Sequence, residues 1–188
     1  IKVEDELYDP HIWFDIDLFS AVILEIKSQL VKKYPNFSDD FENNYNNYMI
    51  QLTQLKQSNI KKVNKLQENQ RVLITAHDAF SYFAKSYSFE VIALQGVSTQ
   101  SEAGLADVDR LANLIVEKKV SAIFIESSVS PRQIIAVKDA VQAKGWNVKI
   151  GGELYSDALG ESGTKAGSYL GMFDYNVDTI VSGLLLDY

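Results

Sequence analysis

The sequence predicts an α/β fold: a four-stranded parallel sheet covered by helices, preceded by a long helix and a shorter helical start. Three observations carry the prediction. Beyond residue 70, short apolar runs alternate with helical patterns four times, the signature of βαβ units with right-handed crossovers. Before residue 70, apolar positions recur at helical spacing along two stretches. The second of these holds neither Gly nor Pro between Phe41 and Asn69, so nothing in it marks a kink.

Leu18, Val22, Ile26 and Leu30 recur every four residues and stack on one helical face. Asp15 or Asp17 can cap that helix, and Tyr34-Pro35 ends it. A second helix is expected over about 40–68, on the order of 40 Å long. Asp39 with Glu42 three positions on resembles a capping box. Phe41, Tyr45, Tyr48/Met49, Leu52, Leu55, Val63 and Leu66 form the apolar stripe, and Asn43–Asn47 lie on a solvated face. Strands are expected at 71–75, 89–94, 122–125 and 147–150, with helices near 79–87, 105–119, 131–144 and 165–186.

The chain of 188 residues suits one domain with a sizeable core, or one domain plus a substantial appendage. Its 18 basic against 25 acidic residues give a net charge of −7, which argues against a nucleic-acid partner and leaves a cation or another protein. With no cysteine, thiolate zinc sites and disulfides are excluded, and imidazole, carboxylate, carbonyl and water remain as ligands. No apolar run reaches the roughly 20 residues of a membrane span, and Ile1–Glu6 does not open a signal peptide. A start on Ile leads us to expect a processed chain or a fragment.

Two histidines pose a metal question, since neutral imidazole is the commonest transition-metal ligand in proteins. His77, in Thr75-Ala76-His77-Asp78-Ala79-Phe80, falls just past the first strand of the α/β region, at the edge where open parallel sheets collect ligands. His11, in Asp9-Pro10-His11-Ile12-Trp13-Phe14-Asp15, precedes the first helix. The fourth strand runs into Gly151-Gly152-Glu153-Leu154-Tyr155-Ser156-Asp157, which brings Asp157 to the same edge, the two glycines being read as a close turn. Glu126 and Glu153 are candidates for orienting a histidine, or for capping helices. A histidine at a strand end also serves structural hydrogen bonds, and spacing alone leaves open whether residues 11, 77 and 157 meet. Glu126-Ser127-Ser128 lacks a nucleophile elbow. The glycines at 151–152 and 160–163 match neither a Walker loop nor a dinucleotide fingerprint.

These motifs, with Leu94-Gln95-Gly96-Val97-Ser98-Thr99, Ile123-Phe124-Ile125-Glu126-Ser127-Ser128 and Ala158-Leu159-Gly160, occur in an order that resembles the metal-binding solute-binding proteins of bacterial zinc and manganese ABC transporters, the TroA-like group. The resemblance covers nearly the whole chain. It implies that His11, His77 and Asp157 are metal ligands for Zn²⁺ or Mn²⁺, bound as transported cargo. It implies two lobes joined by a rigid helix: residues 1–39 the end of an N-terminal lobe, 40–69 the connector, and 70–188 the C-terminal metal-binding lobe. Most of the N-terminal lobe, with a further ligand histidine, has no counterpart in this sequence. Imidazole at position 77, where some manganese-selective members have glutamate, makes the site softer, which favours zinc, although members with this pattern are also associated with manganese, and the metal's identity stays open.

The expected function is therefore capture of a divalent metal outside the cytoplasmic membrane, periplasmic or at the cell surface, and delivery to an ABC transporter permease, without catalysis. Membrane association would come only through the permease or an N-terminal anchor outside this sequence. A surface adhesin or interaction protein, supported by a large exposed apolar patch, and a metal-dependent hydrolase, using Glu126 or Glu153 as base, are the alternatives.

Overall fold

The computed structural model describes residues 1–4, 7–98 and 103–185. Thr99 of the Leu94–Thr99 motif and residue 186, the last of the final expected helix, lie outside them. The first element is one that sequence reading did not anticipate, an antiparallel hairpin of β1 (Lys2–Glu4) and β2 (Leu7–Tyr8). Strands this short leave no alternating pattern to detect.

Asp15 caps α1 (Ile16–Lys33), its Oδ1 accepting the amides of Asp17 and Leu18 at 2.9 and 3.1 Å. Asp17 instead accepts from Lys56 of the next helix, at 2.8 and 2.6 Å. That helix, α2 (Ser38–Val63), departs from expectation at both ends. It begins at Ser38, with Phe37 and not Asp39 at the N-cap and no side-chain cap. Asp39 and Asp40 lie in its first turn, where the helix dipole favours carboxylates. Glu42 is drawn away from the expected capping box to Lys27 of α1, 2.8 Å distant. The helix covers 26 residues, about 39 Å, and stops at Val63 instead of continuing to 68. Arg71 pins the turn that follows, donating to Asn64 Oδ1 and the Leu66 carbonyl at 3.3 and 3.2 Å.

The α/β region then runs β3 (Val72–His77), α3 (Ser81–Tyr87), β4 (Glu90–Gln95), α4 (Leu105–Lys118), β5 (Ala122–Glu126), α5 (Arg132–Ala143), β6 (Lys149–Leu154) and α6 (Tyr169–Leu184). The strands pair in parallel, β3 with β4 and β5 with β6, and β3 lies beside β5. The expected four strands are thus arranged as two two-stranded ladders side by side. Successive residues face opposite cores. Leu73, Ala122 and Phe124 pack with Leu52, Phe83, Phe173, Val177 and Ile180. Ile74 and Ile123 pack with Leu111, Ile115, Ile134 and Val137. Burial on both faces explains the unbroken apolar runs of these strands.

One expectation is corrected in β6. Gly151 and Gly152 lie inside the strand, not in a turn after it. The register skips from Ile123 opposite Ile150 to Phe124 opposite Gly152, which leaves Gly151 as a bulge. A Cβ on Gly151 would stand 2.6 Å from the Phe124 ring, and one on Gly183 of α6 would stand 2.9 Å from the Gly151 Cα. The glycines let helix, strand and aromatic ring approach closely.

Candidate metal centre

His77 is the last residue of β3 and is wholly buried. Its strand end is held by a side chain: Glu126, the last residue of β5, accepts the amides of Ala76 and His77 on Oε1 at 2.8 and 3.0 Å. The other oxygen, Oε2, stands 2.7 Å from His77 Nδ1. Of the two glutamates considered from sequence, Glu126 orients a histidine. Glu153 is exposed on β6.

His11 lies between β2 and a short 3-10 turn, Ile12–Phe14, and is 3% exposed. Asp9 fixes it, Oδ1 accepting the His11 amide at 2.9 Å and lying 2.7 Å from Nδ1. Tyr82 donates to the Asp9 carbonyl at 3.2 Å, and Phe14 stacks on Phe80 with ring centroids 4.4 Å apart. These contacts seat the His11 segment against the α/β region, three residues from the His77 strand end. Sequence reading missed the part played by Asp9; the signal was a carboxylate two residues before a histidine across a proline.

The two Nε2 atoms converge on one carboxylate. His11 Nε2 is 3.2 Å from Asp157 Oδ1, and His77 Nε2 is 3.3 Å from Oδ2. The imidazole rings meet edge to face, with centroids 5.4 Å apart. Ligand atoms from all three residues lie within 4.8 Å of one another. Donors about 2.0–2.1 Å from a tetrahedral ion are separated by about 3.3 Å, so the spacing suits one zinc-sized ion. With each Nδ1 facing a carboxylate, Nε2 is the nitrogen left to bind a cation, the arrangement found behind histidine ligands in metal sites. Asp157, with its side chain 38% exposed, forms the open side.

Electrostatics agrees with a cation site. The Asp157 carboxyl is held well below the usual carboxylate range by hydrogen bonds from His11 and His77, which outweigh its partial burial. Burial would depress His77, but Asp157 and Glu126 overcome it and push it up to about 9. His11 is raised in the same way, Asp157 and Asp9 outweighing burial. Three carboxylates around two imidazoles leave an excess of negative charge that a divalent cation would balance.

A family model described as zinc-uptake complex component A, periplasmic, matches residues 2–183. The chain is 46% identical over 184 residues to the zinc-binding protein TroA of Treponema pallidum, covering 98% of this chain and 60% of that protein. It is 46% identical over 181 residues to the manganese-binding lipoprotein MntA of Bacillus subtilis, covering 96% and 59%. The solved structure of the periplasmic zinc-binding protein TroA from Treponema pallidum superposes with a TM-score of 0.95, covering 98% of this chain and 66% of that one. The chain spans about three fifths of the length of these two curated relatives.

Proposed function

The chain belongs to the family of periplasmic zinc-uptake complex component A proteins, and from that premise we propose that it binds one Zn²⁺ or Mn²⁺ through Nε2 of His11, Nε2 of His77 and the carboxylate of Asp157. It works outside the cytoplasmic membrane, periplasmic or at the cell surface, as the solute-binding part of a metal ABC transporter, and it hands the ion to a permease. It binds and releases its cargo without transforming it. Residues 70–188 form the lobe that carries His77 and Asp157, α2 is the connector, and residues 1–39 bring His11 from the other lobe.

The observation that carries this reading is the convergence of three donors on one point, with a carboxylate behind each imidazole. Calorimetric titration with Zn²⁺ and with Mn²⁺ tests it. The unsubstituted chain is expected to bind one ion, and His77→Ala and Asp157→Ala to lower affinity by at least about 100-fold, a ligand counting for more than the partners behind it. Undiminished binding by either variant would overturn the ligand set. Imidazole nitrogens favour zinc over manganese, so the Zn²⁺ affinity is expected to be the higher.

A further inference from the structure

Among the described residues β6 has β5 on one side only, and Leu154 faces that neighbour, its carbonyl accepting the Ser127 amide at 2.9 Å. Alternation along the strand turns the amide and carbonyl of Tyr155 to the opposite, open edge. Asn176 of α6 supplies there what another strand would. Its Oδ1 accepts the Tyr155 amide at 3.0 Å, and its Nδ2 donates to the Tyr155 carbonyl at 2.7 Å. Nδ2 also stands 3.3 Å from Met172 Sδ. Asn176 is 2% exposed among the buried apolar residues Met172, Phe173, Val177 and Ile180 of the same helix. A primary amide in such a place is costly unless its polar atoms find partners, and both of its partners on the main chain belong to one residue.

That residue lies two positions before Asp157. Ser156 between them is held as well, its carbonyl accepting from Trp13 Nε1 at 3.0 Å and its Oγ lying 2.7 Å from Ser128 Oγ. Asp157 itself has only the two histidines as polar partners among the described residues. The direction of its carboxylate is therefore set by the chain that leads into it. We infer that Asn176 is a positioning residue of the metal centre, fixing both peptide planes that flank Tyr155 so that Asp157 presents one oxygen to each imidazole. The inference rests on His11, His77 and Asp157 being the metal ligands. It assigns to α6, which contributes no ligand, control over the most exposed one.

The test uses Asn176→Leu, which keeps the volume and removes both hydrogen bonds, and Asn176→Asp, which keeps an acceptor for the Tyr155 amide and loses the donor. Val177→Ala serves as a packing control on the same helix. Zn²⁺ affinity by competition with a chromophoric chelator and the visible spectrum of the Co²⁺-loaded whole protein are read beside the melting of the metal-free form. N176L is expected to weaken Zn²⁺ binding about tenfold and to shift the Co²⁺ bands, with N176D in the same direction. V177A should lose thermal stability yet keep affinity and spectrum. Should N176L not fold, N176D carries the same comparison against V177A. Wild-type affinity and spectrum in the Asn176 variants, or an equal loss in V177A, would overturn the inference while leaving the ligand set intact. A wild-type protein that takes up neither Zn²⁺ nor Co²⁺ would remove the ligand set and this inference together.

Discussion

A carboxylate stands behind each imidazole, but the two do different amounts of structural work. Asp9 accepts one amide in its own segment, whereas Glu126 accepts two amides of a neighbouring strand as well as facing His77. Glu126→Gln keeps an oxygen for the two amides and loses the acceptor for Nδ1–H. Titration is expected to show Zn²⁺ binding weakened about 10- to 100-fold with a small change in melting. Glu126→Ala leaves two buried amides unpaired and should in addition lower unfolding free energy by about 2 kcal/mol or more, read by denaturant titration. Equal affinity in E126Q and wild type would reduce Glu126 to a strand clasp. The candidate histidines stood out because the chain has only two, each in a recognisable motif, and Asp157, one of many aspartates, was picked out by its motif alone. Asp9 and Asn176 were not, since a carboxylate near a turn and an amide on an apolar helix have many ordinary uses, and only geometry shows what they hold.

Helices were legible wherever one face is apolar over several turns, as with Leu18 to Leu30 in α1 and Leu111, Ala112 and Ile115 in α4. Their ends were less so, because a helix terminus is decided by competition. Glu42 is taken by Lys27 and Asp17 by Lys56, partners distant in sequence. The Gly151-Gly152 pair was read as a turn because sequence cannot show that α6 lies on the strand. Gly151→Ala, with its new methyl against the Phe124 ring, is expected to cost about 1–3 kcal/mol of stability, measured by urea unfolding. The junction of α2 with α6 adds a pH-dependent contribution. Lys62 lies 2.5 Å from Asp174 and 2.7 Å from Asp178. Burial opposes the charged forms, yet pairing with Lys165 and Lys62 lowers the Asp174 carboxyl below its ordinary 3.8, and pairing with the two aspartates raises Lys62 above 10.5. A lowered carboxyl contributes stability above its unfolded value, lost as pH falls through the folded one; a raised amine contributes below its unfolded value, lost as pH rises through the folded one. Lys62→Met should therefore be less stable than wild type between about pH 5 and 9, with the difference shrinking below about pH 4 in thermal melts.

The molecule assembles its site from segments far apart in sequence, and that was the least legible part. No pattern within 188 residues says that a loop after β6 faces a turn before α1. Phe14 on Phe80 and Trp13 on Ser156 make that junction, the first a stack of two rings and the second an indole N–H on a main-chain carbonyl, both between residues far apart in sequence. Metal removal should be felt where the site is attached by side chains alone. Hydrogen exchange is expected to quicken over 9–14 and 156–163 when Zn²⁺ is withdrawn, while β6 under α6 and the body of α2 stay slow. Faster exchange throughout α2 would contradict this distribution.

His77 is mounted on a buried strand end and clasped by Glu126 at both its amide and its Nδ1. Asp157 is mounted on a half-exposed loop whose two preceding residues are tied down. As a cation site the centre would act like a caliper with one fixed jaw and one jaw of short travel. Ions of differing radius would be gauged by how far Asp157 must slide, and an ion that asks for more than that travel would be held by fewer oxygen contacts instead of reshaping the protein.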